Sequence, residues 1–176
     1  WLVYIDGDGA LRWQRQYARG RGSRFTALTP FASEKYVALI GDALPGGLDG
    51  GRRSGWAVVA ALSDGEPAWQ RYYREDADVY GRGIDAQGDG QITILMGVEQ
   101  NDDTTVDDYL RLVTLNPRGV ILSSRSYQNG VGANAAGMIA GNKHELVIYG
   151  ASVIAYTEKE TQPDGIVLDK EVRSQE

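Results

Sequence analysis

The sequence of 176 residues contains no cysteine and only one histidine, His144. Without thiols the chain can form no disulfide, no thiolate nucleophile and no thiolate metal site. A single histidine also excludes a histidine-rich metal site. A serine-type triad would have to be built around His144, whose segment GNKHEL has the composition of a turn. Because no catalytic set is complete, we expect the protein not to be an enzyme.

Positive charge and long apolar runs are also scarce. Lysine and arginine total 18 against 24 acidic residues, which gives a formal net charge of −6. Such a chain has no general attraction to a phosphate backbone, so nucleic acid is not expected as a partner. The longest apolar stretches, such as WAVVAAL and LVIYG, are far shorter than the ~20 residues of a membrane span, so none is predicted. Since the sequence begins with Trp1 and not with methionine, we expect that an upstream segment is missing, and any signal peptide would have been lost with it.

A repeat dominates what is present. The segment GALRWQRQY, which starts at Gly9, is matched by GEPAWQRYY from Gly65 and more weakly by GVILSSRSY from Gly119. A second glycine follows 32, 32 and 31 residues later in the three copies, at Gly41, Gly97 and Gly150. Because the two series advance together, a unit of fixed size is repeated along the chain.

Each unit is predicted to form four short strands separated by turns. The segments DGDG, SDGEP, NPRG and QGDG have turn composition, and no stretch has a convincing helical period. The last strand of each unit, YVALIG, ITILMG and LVIYG, is apolar almost throughout, so both of its faces should be buried. We therefore predict one all-β domain over residues 1–176, with repeats at about 1–44, 56–99 and 109–152 and a partial copy at 153–173. The fold class is β-propeller-type, with about three and a half four-stranded antiparallel blades.

Two longer segments, DDYLRLVTLNPRGVILSSRSY and DVYGRGIDAQGDGQITILMG, resemble units of the bacterial secreted and cell-surface β-propeller repeats. In that family, a short apolar strand leads to a glycine turn, a tryptophan strand, an Asp-Gly turn and an apolar strand that ends in glycine. The resemblance implies a non-catalytic binding or scaffold module of a secreted or cell-envelope protein. The expected location is therefore secreted, periplasmic or at the cell surface.

Two alternatives stay open. The segments YIDGDGALRW and ALSDGEPAW are similar to the tryptophan-docking motif of quinoprotein-like propeller enzymes, although Asp8 and Asp64 stand where threonine often precedes the glycine. No cofactor or calcium ligands carry over from that similarity. The second alternative is an assembly scaffold that pairs through open blade edges, since three and a half blades leave edges that must be covered. A homodimer or a missing upstream segment would then complete the propeller.

Alternate residues of the strand after the repeat glycine share one face. That face carries an arginine in every copy. The predicted structural set is Trp13, Arg15 and Tyr17, then Trp69, Arg71 and Tyr73, then Arg125 and Tyr127, with Ser123 in place of the third tryptophan. The arginines form either a cationic ring for an anionic ligand or, as we expect, a repeated packing contact beside the aromatic rings.

Long loops fall on one face of the predicted fold, because consecutive strands run up and down. They include ARGRGSR, GDALPGGLDGGRRSG, REDADVY and VEQNDDTTVDD. Long loops on a rigid scaffold commonly bind partners, so we predict that this face recognises a protein or a glycan. The predicted binding residues are a basic sector of Arg19, Arg21, Arg24, Arg52 and Arg53 and an acidic sector of Asp76, Asp78, Asp102, Asp103, Asp107 and Asp108. The alternative is that these loops only keep the protein soluble.

The acidic segments of the sequence are candidate sites for one metal, calcium. DGDG from Asp6 and DAQGDG from Asp85 have Tyr17 and Met96 at the twelfth position, where a calcium loop needs a bidentate glutamate. We predict hairpin turns at both places. The carboxylates of NDDTTVDD, Asp102, Asp103, Asp107 and Asp108, are an alternative calcium site. Apart from this alternative, no cofactor and no metal is expected.

Overall fold

The computed structural model describes residues 1–17, 22–31, 34–44, 51–87, 90–99, 109–128, 133–140, 145–161 and 167–175. Within these residues the chain is all β and contains no helix. The strands are β1 Leu2–Ile5, β2 Leu11–Arg15, β3 Arg24–Phe31, β4 Tyr36–Ala43, β5 Ser54–Ala61, β6 Pro67–Tyr73, β7 Asp78–Ala86, β8 Ile92–Glu99, β9 Tyr109–Leu115, β10 Ile121–Gln128, β11 Ala133–Ala140, β12 Leu146–Thr161 and β13 Val167–Gln175.

Four antiparallel sheets contain these strands. The half-sheet consists of β1 and β2, the first sheet of β3 to β6, the second sheet of β7 to β10 and the third sheet of β11 to β13. In each sheet every strand pairs with the next one along the chain. Long β12 pairs with β11 through residues 146–152 and with β13 through residues 153–161. The all-β, antiparallel part of the sequence prediction is therefore confirmed.

The sheets and the sequence repeats are out of phase by two strands. The first sheet combines the last two strands of the first repeat with the first two strands of the second repeat, and the second sheet is built in the same way. The prediction that the four strands of one repeat form one sheet is wrong. The physical reason for the observed arrangement is that two buried strands pair with each other, since β4 pairs with β5 from Tyr36↔Ala61 to Ala43↔Ser54. Strands that bury both faces belong in the middle of a sheet, so β4 and β5 pair with each other as the two central, antiparallel strands of the first sheet.

Strands β4 and β5 separate two hydrophobic clusters. On one face, Ile40 and Val59 pack in a cluster that also contains Ile94 of the second sheet. On the opposite face, Leu39 and Val58 belong to a cluster against which Leu2 of the half-sheet packs. Because successive side chains of a strand point to opposite faces, both faces of these strands are buried. The prediction of double burial is confirmed for YVALIG and for ITILMG, which is part of β8.

Double burial is wrong for the third copy, LVIYG, at the start of β12. There Val147 is 58% exposed and Tyr149 is 52% exposed. The described part of the chain provides no further sheet to cover this face. This segment is therefore apolar in sequence but exposed in the structure.

Tight turns form where the glycine and Asx residues predicted them. Gly9 and Gly119 have φ values of 82° and 77°, a left-handed conformation that favours glycine. In the first of these turns, Asp6 Oδ1 accepts hydrogen bonds from the backbone N–H groups of residues 8 and 10, at 3.0 and 2.8 Å. In the other, Asn116 Oδ1 accepts from residues 118 and 120, at 3.0 and 2.9 Å. The segment DGDG is a hairpin turn, as predicted, and it has the same hydrogen-bond pattern as NPRG.

The first and second sheets approach each other closely along β7. Thr26 on β3 donates a hydrogen bond from its hydroxyl to the carbonyl of Gly81, at 2.8 Å. A Cβ atom placed on Gly81 would lie only 2.6 Å from the carbonyl oxygen of Gly41. Strand β7 also packs against β11 of the third sheet. Glycine is therefore required at position 81 to bring the backbones of the two sheets together.

Gly81→Ala is expected to lower the free energy of unfolding by about 1–3 kcal/mol, because the added methyl group must push two backbones apart. Urea titration followed by tryptophan fluorescence measures this change. Gly7→Ala is the matched control, since a Cβ atom at Gly7 meets nothing within 4 Å, and its effect should stay within about 0.5 kcal/mol. Equal stability of Gly81→Ala and the unmodified chain would contradict the close approach of the sheets.

Candidate functional site

Two tryptophans connect consecutive sheets at the end that carries the tight turns. The Trp13 Nε1–H of the half-sheet donates to the carbonyl of Leu62, at 2.8 Å, and the Trp69 Nε1–H of the first sheet donates to the carbonyl of Pro117, at 2.9 Å. In both cases the indole ring covers the turn glycine of the next sheet. Cβ atoms built on Gly65 and Gly119 would lie 2.8 Å and 3.1 Å from the nearest ring atom. These contacts explain why the sequence repeats a tryptophan four residues after a glycine.

The tyrosines of the repeat do not make equivalent contacts. Tyr17 donates its hydroxyl hydrogen bond to the carbonyl of Gly65, at 2.8 Å, and its partial burial raises its pKa. Tyr73 occupies the corresponding position in the next copy and is only 8% exposed. Its buried hydroxyl has no hydrogen-bond partner among the residues that the structure describes, and burial raises the pKa of Tyr73 to about 12.

The repeated arginines differ from the expectation that they pack beside rings. Arg15 forms an ion pair with Glu66, at 2.7 Å. Among the described residues, the cation–ring contacts are instead made by Arg53 and Arg82 with Tyr80. In the third copy Ser123, Arg125 and Tyr127 all lie on β10, whose described side chains are exposed. Arg71 of the second copy is half-buried.

Tyr17→Phe is expected to lower the free energy of unfolding by about 1 kcal/mol, because it removes a satisfied hydrogen bond. Tyr73→Phe is its matched counterpart and should cause no loss, since it removes a buried hydroxyl without a partner. Urea titration of both variants at pH 7 measures the difference.

An alkaline titration of Tyr73→Phe gives a second measurement of the same burial. The folded chain holds the Tyr73 proton up to a pKa of about 12, above the ordinary tyrosine value of 10.0, so the stability from this group is complete below pH 10 and is lost as the pH rises toward 12. Tyr73→Phe should therefore be less sensitive to pH in this interval. Equal losses in Tyr17→Phe and Tyr73→Phe at pH 7, with identical alkaline profiles, would contradict the described geometry.

A buried carboxylate lies at the opposite end of the same sheets, where the long loops begin. Asp42, near the end of β4, is 0% exposed. Its Oδ1 pairs with Arg24 Nε at 2.9 Å, and its Oδ2 pairs with Arg53 Nη1 at 2.5 Å. The hydrogen bond to Asp42 raises the pKa of Arg24. A buried charge is stable only when it is paired and hydrogen-bonded, and both arginines serve that purpose here.

Arg53 connects three loops. Its guanidinium donates to the carbonyl of Gly22, at 2.9 Å. Its backbone N–H donates to Asp78 Oδ1, at 2.6 Å, and its carbonyl accepts from the N–H of Val79, at 3.0 Å. The loops before β3, before β5 and before β7 are therefore joined at their bases.

Further charged groups extend this cluster across the second sheet. The guanidinium carbons of Arg53 and Arg82 lie 5.9 and 5.2 Å from the ring centroid of Tyr80. Arg82 also pairs with Glu99, at 2.9 Å. Burial is the main cause that raises the pKa of Tyr80, and the nearby carboxylates of Glu99 and Asp78 add to it.

We call this group the Asp42 cluster. It contains Arg24, Asp42, Arg53, Asp78, Tyr80, Arg82 and Glu99, so its three arginines and three carboxylates balance in formal charge. The predicted basic and acidic sectors are thus interlocked where the structure describes them, through Arg24, Arg53 and Asp78. Arg52 and Asp76 are exposed at the edge of the cluster. The remaining predicted binding residues, Arg19, Arg21, Asp102, Asp103, Asp107 and Asp108, lie outside the described residues, as do the alternative calcium site and His144.

Sequence reasoning missed four members of the Asp42 cluster. Asp42, Tyr80, Arg82 and Glu99 were not among the predicted site residues. One signal was available, because Asp42 directly follows the apolar run YVALIG, and a charge beside such a run needs partners. The other three residues become recognisable only through the pairing of β7 with β8, which places Asp78 opposite Glu99.

Within the described part of the chain, two open grooves lie between sheets at the end that carries the tight turns. One has a volume of about 500 Å³ and is lined by Tyr4, Glu34, Lys35, Tyr36, Ala61, Leu62 and Ser63. The other has a volume of about 380 Å³ and lies beside Trp69. Both grooves are on the face opposite the long loops, where the sequence predicted no site.

Comparisons with known proteins give no family for this chain. No protein-family model matches it, and no curated protein has a significantly similar sequence. Among the described residues, no three acidic or histidine side chains come together as metal ligands. None of the described residues belongs to a helix that could cross a membrane.

Asp42→Asn is expected to lower the free energy of unfolding by about 3 kcal/mol at pH 7, because it leaves two arginines without their buried counter-charge. Arg53→Gln should cost about 2 kcal/mol, since its guanidinium bonds to both Asp42 and Gly22. The control is Arg24→Gln, whose side chain is 58% exposed against 29% for Arg53, and it should cost no more than about 1 kcal/mol. Urea titrations that gave the same small loss for all three variants would exclude a structural role of the cluster.

Proposed function

We propose that this chain is a non-catalytic scaffold module of the β-propeller type, which binds a protein or glycan partner through its long-loop face. Support for the propeller arrangement comes from the four-stranded meanders and from the tryptophan contacts that repeat between consecutive sheets. Strands β3, β7 and β11 pack against one another in series, as the inner strands of neighbouring blades do.

The Asp42 cluster carries the proposal for the binding face. It ties the bases of three loops to one buried carboxylate through the contacts of Arg53 and Arg24. A rigid base under long loops is the usual arrangement of a recognition surface. Arg52 and Asp76 project at the edge of this base and supply charges for a partner.

Mutual pairing of the charges favours binding over catalysis. Each arginine of the Asp42 cluster forms an ion pair with a carboxylate of the cluster, and Asp42 itself is closed to solvent. A catalytic acid or base must instead reach its substrate. In the protein to which this module belongs, we propose export to the cell envelope or the medium, as the motif resemblance implies.

Assembly through open ends is a second candidate function, favoured by one observation. The turn at residues 6–9 has the same internal hydrogen bonds as the turn at residues 116–119, yet a Cβ atom at Gly9 meets nothing within 4 Å. At Gly119, the same position is covered by Trp69. The exposed apolar residues Val147 and Tyr149 at the start of β12 mark a second uncovered surface. A second copy or an upstream segment would cover these surfaces and complete the propeller.

Charge swaps test the binding face. The probes are an array of immobilised glycans and an array of immobilised peptides, incubated with the unmodified chain and with two variants of unchanged net charge. Arg52→Glu with Asp76→Lys alters the long-loop face, and Asp8→Lys with Arg125→Glu alters exposed positions elsewhere. We expect array binding to fall at least about tenfold in the first variant, a loss of ~1.4 kcal/mol, and to stay within about twofold in the second.

Loss of binding in the second variant alone would contradict the proposed face. Turnover of an array probe would contradict the non-catalytic assignment. Light scattering on a size-exclusion column, run over a hundredfold range of concentration, separates the two candidate functions. A concentration-dependent dimer supports assembly, whereas a monomer that still binds the arrays supports recognition without it.

A further inference from the structure

The groove beside Trp69 combines aromatic walls with a single charged residue. We call it the Trp69 groove. Its lining residues are Phe31, Tyr36, Val59, Ala68, Trp69, Pro117 and Arg118. Its volume of about 380 Å³ is at the lower end of the range for small-molecule sites. The groove lies between the first sheet and the β9–β10 turn of the second sheet, far from the Asp42 cluster along the strands.

Its aromatic side chains are held in place. The rings of Phe31 and Tyr36 pack against each other with centroids 5.6 Å apart and planes inclined by 30°. The Trp69 N–H is already used in the hydrogen bond to Pro117. The indole therefore offers its ring rather than its donor to a ligand, and a flat apolar group is the natural complement of such walls.

Arg118 supplies the only formal charge among the lining residues. The turn fixes its backbone, because its N–H donates to Asn116 Oδ1 at 3.0 Å. Among the described residues, no carboxylate pairs with its guanidinium, whereas Arg15 and Arg82 each have an acidic partner. The groove is therefore electrically positive at one edge, unlike the neighbouring 500 Å³ groove, where Glu34 offsets Lys35.

We propose that the Trp69 groove binds a small aromatic acid, whose ring lies against Tyr36 and Trp69 and whose anionic group pairs with Arg118. A guanidinium and a carboxylate make charge-assisted hydrogen bonds in a planar geometry, and an aromatic ring fills the apolar part of the groove. A cationic ligand is disfavoured by Arg118, and a neutral one leaves the guanidinium without a counter-charge. This site is on the tight-turn face and does not depend on the proposed function.

Matched probes separate charge from apolar contact. The probes are 2-naphthoate, 2-naphthylmethanol and 2-naphthylmethylamine, which share one ring system and differ in charge. Calorimetry on the full chain measures their affinities, and saturation-transfer NMR measures their contact with the protein. We expect 2-naphthoate to bind at least about tenfold more tightly than either of the others, as a charge-assisted hydrogen bond contributes about that factor.

Variants assign the binding to this groove. Arg118→Gln should weaken 2-naphthoate about tenfold and leave 2-naphthylmethanol within about twofold. Arg125→Gln is the control, because Arg125 is also an exposed arginine on the second sheet, and it should change neither affinity. Ala68→Trp should fill the groove and abolish binding, with an unchanged urea midpoint as evidence that the chain still folds.

The contrary results are equally definite. Undetectable binding of 2-naphthoate at millimolar concentration would overturn the proposal. So would equal affinities for all three probes, or 2-naphthoate binding that survives both Arg118→Gln and Ala68→Trp. Tighter binding of 2-naphthylmethylamine would overturn the assignment of an anionic ligand.

Discussion

The contact between an indole and the turn of the next sheet is the interaction on which the described structure depends. One tryptophan satisfies a turn carbonyl and covers a turn glycine at the same time, and it does so at Trp13 and again at Trp69. A side chain at the turn glycine would occupy the space of the indole ring. The glycine that allows the tight turn therefore also leaves the space in which the indole packs. Local turn geometry and sheet packing are thus specified by the same residue.

Opposite ends of the interface between the first and second sheets are held by different chemistry. Trp69 fixes the end with the tight turns, and the paired charges around Asp42 fix the end with the long loops. Between them, Gly81 brings the two backbones together and one hydrophobic cluster spans both sheets. These contacts lie at the two ends and in the middle of the interface, and together they fix the position of one sheet against the other. As a result, the Trp69 groove and the loop bases lie on opposite faces.

The sequence predicted the length of the repeating unit but not which strands share a sheet. The spacing of Gly9, Gly65 and Gly119 predicted the repeated turns, and two of the three apolar runs, YVALIG and ITILMG, correctly predicted buried strands. A repeat has no intrinsic beginning, however, so the sequence alone could not decide which strands share a sheet. The pairing of β4 with β5 decides it, and that pairing joins strands that the sequence assigned to two different repeats.

The candidate sites illustrate the same limit at the level of single residues. The sequence predicted Arg24, Arg53 and Asp78 as site residues from their place in loops, and it assigned them to separate basic and acidic sectors. That they instead form one connected cluster depends on distances that a sequence does not contain. Tyr36 and Arg118 are far apart along the chain and line the same groove only because two sheets pack together. Charge and aromatic character can be read from the sequence, whereas pairing depends on register and packing.

Hydrogen exchange of the four indole N–H groups, followed by NMR, tests the central claim most directly. Trp13 and Trp69 donate to turn carbonyls, whereas Trp1 is 83% exposed. If the sheets dock as described, the N–H groups of Trp13 and Trp69 exchange more slowly than that of Trp1 and speed up together when the sheets separate in urea. Exchange of Trp13 and Trp69 at the rate of Trp1 in the native protein would contradict the account.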